Sequence, residues 1–230
     1  MLILDWMHSD AVAVTPATTL LESRRLLKEH KLGRLPVVDR SGAVVGILSA
    51  TDIKAILPAQ STGLDMLEAF DVLSETKAGE VMTSPAVTIG GRSTMTQAAM
   101  LMIEKGVTCL PVVDESGRLI GMLTQDDVFR GLTHMSGAQV IKRAAEIGFT
   151  LENRPGTLRA ILEQVSGVRI ASVLSSVDEQ GMRQVEIVIW AEDPEKVRKV
   201  LEHFSADPCL RYWAWADESR LNERLVGEKS

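Results

Sequence analysis

An internal duplication constrains the fold of this 230-residue chain more than any other feature of its sequence. When the sequence is shifted by 75 residues, Leu35–Asp39 aligns with Leu110–Asp114, and Gly46 aligns with Gly121. The alignment needs no gap from residue 7 to residue 53. A repeat of this kind predicts two structural units of one design that bury their apolar faces against each other.

Each copy of the repeat has the sequence pattern of a βαββα unit. A short apolar strand is predicted first, at Ala11–Val14 in one copy and Ala86–Ile89 in the other, and a helix follows it. Two further strands flank a turn that ends in glycine, and a second helix is expected to begin near Asp52 or Asp127. Because the small sheet of one unit cannot bury both of its faces, the two copies are predicted to pack sheet to sheet.

The end of the hairpin in each copy carries a glycine-to-aspartate motif, Gly46–Asp52 in the first and Gly121–Asp127 in the second. These motifs, together with the Leu-Pro-Val-Val-Asp strand of each copy, resemble a tandem pair of CBS domains, also called a Bateman module. The resemblance covers about the first 135 residues. It implies a regulatory module that forms a homodimer and binds an adenosine-containing ligand, namely AMP, ADP, ATP or S-adenosylmethionine.

The motif also suits a nucleotide on chemical grounds. A carboxylate in the first turn of a helix can accept hydrogen bonds from ribose hydroxyls, and the N–H groups of the helix start attract phosphate. The same side chains could instead serve only to cap the helix. By resemblance, adenine would lie against the backbone of residues 12–15 and 87–89. The positions that the resemblance assigns to nucleotide binding are Ser49, Thr51, Asp52, Arg34, Thr15, Thr124, Asp127 and Thr88.

The surroundings of the two motifs differ. In the first copy, Thr51 precedes the aspartate, and Arg34 and Lys31 lie near the Leu-Pro strand, so donors are available for a phosphate. In the second copy, Asp126 replaces the hydroxyl and Cys109 replaces the arginine. An additional carboxylate repels phosphate oxygens. We therefore expect a phosphorylated nucleotide at the first motif, and either no ligand or an adenosine ligand without phosphate at the second.

The duplication ends near Ala144, and the remaining sequence predicts a different unit. Its apolar patterns predict the order βαββαβ, so the fold class is α+β, with a ferredoxin-like sandwich after the repeats. The segment Leu151–Ile161 resembles an ACT domain, a family in which this loop often binds an amino acid. The resemblance assigns that role to Asn153 and Gly156, although the loop could simply begin a helix. The domain order resembles that of acetoin-utilisation protein B-like proteins.

Taken along the chain, these patterns predict six segments. They are a first CBS repeat at 1–60, a connecting helix or linker at 61–77, a second CBS repeat at 78–135, a linker at 136–144, an ACT domain at 145–217 and a tail at 218–230.

Composition argues against several classes of function. The formal net charge of −6 and the lack of a basic block disfavour nucleic-acid binding. The sequence has neither a signal-peptide pattern nor 18 consecutive apolar residues, and Cys109 and Cys209 suit reduced thiols, so we expect a cytoplasmic protein that does not enter a membrane. The histidines are dispersed and no catalytic motif occurs, so we expect no metal site, no catalytic cofactor and no enzyme activity.

Three hypotheses for the function remain open from the sequence. The first is an allosteric sensor with an adenosine ligand in the CBS pair and an amino acid or a partner on the ACT domain. The second is a ligand-free scaffold for dimerisation and interaction. The third is a regulatory arm that acts on a separately encoded enzyme.

Overall fold

The computed structural model describes residues 1–57, 64–137, 144–165, 167–190, 193–215 and 222–223. The chain forms two compact units, Met1–Gly131 and Leu132–Ser230. Most of the predicted linker at 136–144 and of the predicted tail at 218–230 lies outside the described residues. Within the described ranges, no helix is long and apolar enough to cross a membrane.

The first copy of the repeat is a hairpin packed against two helices, and two further helices connect it to the second copy. Its first helix begins at Thr19, whose side chain accepts a hydrogen bond from the backbone N–H of Glu22. The elements in chain order are α1 (Leu20–Glu29), β1 (Arg34–Val38), β2 (Val44–Ser49), α2 (Ala50–Ala55), α3 (Leu64–Glu75) and α4 (Ala78–Val81).

The second copy repeats this design and adds a short parallel strand. The left-handed backbone of Gly106, with φ of 63°, ends its first helix. The elements in chain order are β3 (Ile89–Gly90), α5 (Met95–Lys105), β4 (Cys109–Val113), β5 (Leu119–Thr124) and α6 (Gln125–Met135).

The first strand of each copy is shorter than its sequence predicts. The stretch Ala11–Val14 contributes one isolated parallel bridge, between Val14 and Val37. The stretch Ala86–Ile89 contributes only the start of the two-residue strand β3. The residues just upstream of both stretches, His8 and Thr83, pair with the hairpin of the other copy.

The N-terminal segment of each copy pairs with the hairpin of the other copy. His8 pairs with Met122 of the second hairpin through two backbone hydrogen bonds of 2.9 Å each. In the same way Thr83 pairs with Ile47 of the first hairpin, at 2.9 and 3.0 Å. A Cβ atom on Gly121 would lie 2.8 Å from the His8 carbonyl oxygen, so only glycine permits this approach. Each hairpin is therefore completed by a segment from outside its own copy.

An apolar core nevertheless surrounds each hairpin. In both cores, the inward side chains of the hairpin pack against its flanking helices, joined by Leu73 and Ala78 in the first core and by Ile3 in the second. The buried residues of the first core are Val14, Leu20, Leu27, Leu35, Val37, Leu48, Ile53, Leu73 and Ala78. Those of the second are Ile3, Ile89, Met95, Ala98, Met102, Leu110, Val112, Leu123 and Val128.

The C-terminal unit has the predicted element order βαββαβ. Its elements are β6 (Ala144–Leu151), α7 (Thr157–Gln164), β7 (Ile170–Val177), β8 (Arg183–Trp190), α8 (Pro194–Phe204), β9 (Leu210–Trp215) and the short β10 (Asn222–Glu223). The sheet is antiparallel, in the order β10-β9-β6-β8-β7. One face of the sheet packs against the helices, where the rings of Phe149 and Phe204 meet edge to face at 5.0 Å.

Candidate functional site

A cavity of about 660 Å³ in the N-terminal unit is lined by both copies of the repeat. The first copy contributes residues around the start of β1, and the second contributes the two ends of its hairpin. The lining residues are His8, Asp10, Ala11, Val12, His30, Leu32, Gly33, Arg34, Pro36, Thr108, Cys109, Met122, Thr124, Gln125 and Asp126. This volume is in the range of cavities that bind small molecules.

Arg34 supplies a permanent positive charge to this cavity. It lies at the start of β1, and its guanidinium donates a 2.7 Å hydrogen bond to the hydroxyl of Thr108 in the second copy. Burial raises the pKa of the nearby Cys109 thiol, and the positive charge of Arg34 offsets only part of this effect. The thiol therefore stays neutral, and the arginine is available to an anionic group of a ligand.

The motif of the second copy lies at the edge of the cavity. Thr124 accepts a hydrogen bond from the backbone N–H of Asp127, and the Asp127 carboxylate accepts bonds from the Thr124 backbone N–H and hydroxyl, at 2.9 and 2.6 Å. Asp127 is only 4% exposed, and its other carboxylate oxygen lies 3.2 Å from Nε2 of His8. Thr124, Asp126 and His8 line the cavity, whereas Asp127, which His8 contacts, does not.

The motif of the first copy has the same internal geometry but a different position. Ser49 donates to the Asp52 carboxylate from its backbone N–H and its hydroxyl, at 2.7 and 2.6 Å. This reciprocal arrangement is a capping box, in which Ser49 is the cap, the helix begins at Ala50 and Asp52 is the third helical residue. Ser49, Thr51 and Asp52 are not among the residues that line the 660 Å³ cavity.

The structure groups the predicted nucleotide-binding residues differently from the sequence. Arg34 was predicted to act with the first motif, but its guanidinium lies with Thr124 in the cavity that both copies line. Thr15 is exposed, and its hydroxyl and backbone N–H bond to the hydroxyl of Thr18. Thr88 is half-buried next to β3 and does not line this cavity.

The cavity residues that the sequence does not predict include the polar side chains His8, His30 and Thr108. The 75-residue shift pairs Thr108 with Gly33 and His8 with Thr83, so the repeat alone gives no reason to select them. Their role depends on contacts between the two copies.

The predicted loop of the C-terminal unit is exposed. The side-chain oxygen of Asn153 accepts a 2.8 Å hydrogen bond from the Arg183 guanidinium. Gly156 precedes α7 with φ of +93°, a left-handed backbone conformation that favours glycine. The Thr157 hydroxyl donates to the carbonyl oxygen of Arg154 at 2.9 Å, which fixes the turn into the helix.

A separate cavity of about 340 Å³ lies on the C-terminal sheet. The Tyr212 ring covers Gly148 there, and its hydroxyl is 3.3 Å from carboxylate oxygens of both Glu146 and Glu186. Burial, and then the neighbouring Glu146, raise the pKa of Glu186. In the described part of the chain, no group of three or more His, Cys, Asp or Glu side chains could hold a metal ion.

The family model for the CBS domain matches residues 3–59 and 78–134, which are the two copies of the repeat. An uncharacterized protein of Methanocaldococcus jannaschii is 32% identical over 154 residues, covering 57% of this chain and 91% of that protein. An uncharacterized protein of Methanopyrus kandleri is 27% identical over 121 residues, and the match spans 53% of this chain but only 57% of that protein's length.

A plant protein extends the comparison to a solved structure. The chloroplastic CBS domain-containing protein CBSX2 of Arabidopsis thaliana is 31% identical over 150 residues, covering 58% of this chain and 60% of that protein. A crystal structure of CBSX2 in complex with AMP covers 57% of this chain and 95% of that chain, with 29% identity and a TM-score of 0.48. Because the model matches both copies and the Methanocaldococcus relative is matched over nearly its whole length, the chain belongs to the family of proteins with a pair of CBS domains.

Proposed function

We propose that the protein is a non-catalytic regulatory sensor that binds an adenosine-containing ligand in the 660 Å³ cavity. The observation that carries this proposal is that Arg34 and Thr124, which come from different copies of the repeat, line one cavity. A ligand that contacts both would hold the two copies in a fixed arrangement. Binding would then stabilise this arrangement of the copies relative to others, and a regulatory signal requires such a difference between two states.

The charges around the cavity favour a ligand with one phosphate or none. Arg34 can bind a single phosphate, whereas Asp10 and Asp126 would repel the additional negative charge of ADP or ATP. We therefore propose AMP as the ligand to be tested first, with S-adenosylmethionine as the alternative. The relative CBSX2, which has been crystallised with AMP, supports this choice.

Calorimetry with AMP on matched variants tests the proposal. Thr124→Ala and Ser49→Ala each remove a hydroxyl that caps a helix, at a cost of about 1 kcal/mol in stability. Only Thr124 lines the cavity, so we expect about tenfold weaker AMP binding for Thr124→Ala and no change for Ser49→Ala.

The opposite result would assign the nucleotide to the first motif, where Ser49, Thr51 and Asp52 would bind it. No heat with AMP, ATP or S-adenosylmethionine would reject the sensor function. The ligand-free scaffold would then be the better hypothesis.

For the C-terminal unit, we propose an ACT-like ferredoxin fold with an amino-acid or partner site at Asn153 and Gly156. The strand order β9-β6-β8-β7 with two helices on one face, and the ordered turn before α7, support this proposal. With the CBS pair, it would give the domain arrangement of acetoin-utilisation protein B-like proteins. The regulated enzyme would be a separate protein, and we retain the expectations of a cytoplasmic location and no nucleic-acid partner.

We also propose that the protein is a homodimer that uses the helices of its second copy. Met100 and Ile103, on one side of α5, are 66% and 81% exposed. The equivalent positions of α1 are the charged residues Arg25 and Lys28. The fold itself does not require apolar side chains on this face, because the equivalent face of the other copy is charged. Exposed apolar side chains that the fold does not require are typical of a partner surface. Arg25 is held in ion pairs with Glu22 and Glu29, so this side of α1 is polar and offers no apolar self-contact.

The variant Ile103→Lys makes the second copy resemble the first at this position. We expect it to convert a dimer into a monomer in size-exclusion chromatography with light scattering. Leu67→Lys, a change of an apolar α3 side chain that is 68% exposed, is the control and should leave the dimer intact. A dimer that survives Ile103→Lys would place the contact elsewhere.

A further inference from the structure

The Asp127 carboxylate is occupied on both of its oxygens. One oxygen accepts the two hydrogen bonds from Thr124 that hold the helix start. The other lies 3.2 Å from Nε2 of His8, within hydrogen-bond distance of the imidazole. The side chain of Asp127 is 5% exposed and does not line the cavity, whereas the imidazole of His8, which meets this oxygen, does.

The backbone of His8 is fixed, whereas its side chain is accessible. Two backbone hydrogen bonds with Met122 hold the residue across β5. The imidazole itself is 59% exposed and lines the cavity. It can therefore rotate away from Asp127 while the main chain keeps its position.

The hairpin of the first copy has no histidine paired with it at the equivalent position. Thr83 pairs with Ile47 through the backbone just as His8 pairs with Met122, but its short side chain carries no imidazole. The two motifs therefore share the aspartate and its cap, and the second has in addition an imidazole beside the carboxylate.

We propose that His8 is a specificity-determining residue that competes with the ribose hydroxyls of a ligand for the Asp127 carboxylate. This inference rests on the proposed nucleotide function of the cavity. A ligand with vicinal hydroxyls displaces the imidazole and replaces its hydrogen bond. A ligand without them leaves His8 in place and loses the contact with Asp127.

Calorimetry with two nucleotides on the full chain tests this role. In His8→Ala the carboxylate oxygen is open to the cavity, so we expect AMP to bind about 3- to 10-fold more tightly than to the unmodified protein. 2′,3′-Dideoxyadenosine monophosphate has no ribose hydroxyls, and its affinity should stay within about twofold. His30→Ala removes the other imidazole of the cavity and should not strengthen AMP binding.

The results separate this inference from the proposed function. If AMP binds the unmodified protein and His8→Ala equally well, or if the dideoxy nucleotide gains as much as AMP, His8 does not compete for Asp127. If neither protein binds AMP, the nucleotide function and the competition are both rejected. Binding of AMP to His8→Ala alone would support both.

Discussion

The variant Phe149→Ala is expected to unfold the C-terminal unit. Phe149 is 1% exposed at the centre of β6, between β8 and β9, and its ring packs on Phe204. Removing a buried phenylalanine ring costs about 3–5 kcal/mol, which is a large part of the 5–15 kcal/mol that stabilises a typical domain. The N-terminal unit has cores of its own, so its fold should survive.

Two measurements on the same sample check this expectation. The thermal transition of the C-terminal unit should be lost or strongly lowered in calorimetric scans, while AMP binding by the N-terminal unit should persist. Phe70→Ala, at a position that is 53% exposed on α3, is the control and should change stability by less than about 0.5 kcal/mol. An equal loss of both units in Phe149→Ala would contradict their independence.

The variant Arg34→Gln is expected to bind AMP about 10- to 100-fold more weakly. A hydrogen bond between a guanidinium and a phosphate contributes about 1.5–3 kcal/mol, and glutamine replaces it with a neutral donor. Arg34 is exposed and lies outside both apolar cores, so the stability of the fold should change little. Titration calorimetry gives the affinity, and thermal unfolding gives the stability.

Two comparisons identify the phosphate as the partner of Arg34. Adenosine has no phosphate, so its affinity should be nearly unchanged by Arg34→Gln. Arg40→Gln removes an exposed arginine from the first hairpin turn, outside the cavity, and should bind AMP normally. If Arg34→Gln weakened adenosine and AMP equally, the arginine would act on the shape of the cavity rather than on the phosphate.

Local patterns in the sequence were sufficient to predict most of the secondary structure. Pro194 at a helix start and an apolar stripe ending at Phe204 predict α8 with the bounds that it has. The second helices of the repeat begin just before Asp52 and Asp127, because each aspartate closes a hydrogen-bonded ring with Ser49 or Thr124. The apolar pattern of the sequence is the same whether the aspartate is the cap or the third residue of the helix. The pattern therefore does not fix the exact start of the helix.

The arrangement of the candidate site could not be predicted in the same way. The sequence places Arg34 beside the first motif, and the register of β1 and β2 does set it opposite Ser49. Its long side chain nevertheless reaches Thr108, because the copies meet around this strand end. The contact between His8 and Asp127 also joins residues far apart in the chain. Such contacts depend on how the two copies pack against each other. The repeat in the sequence does not specify that packing, so it cannot predict the contacts.

The exchange of segments between the two hairpins affects how the protein folds during synthesis. The first hairpin obtains its partner Thr83 early, whereas the segment around His8 finds its partner only after Met122 has left the ribosome. Chains fold from the N-terminus at the pace of translation, so the earliest residues wait longest for their contact. The hairpin of the second copy thus depends on a segment made well before it, so its pairing is completed by a contact between residues far apart in the chain.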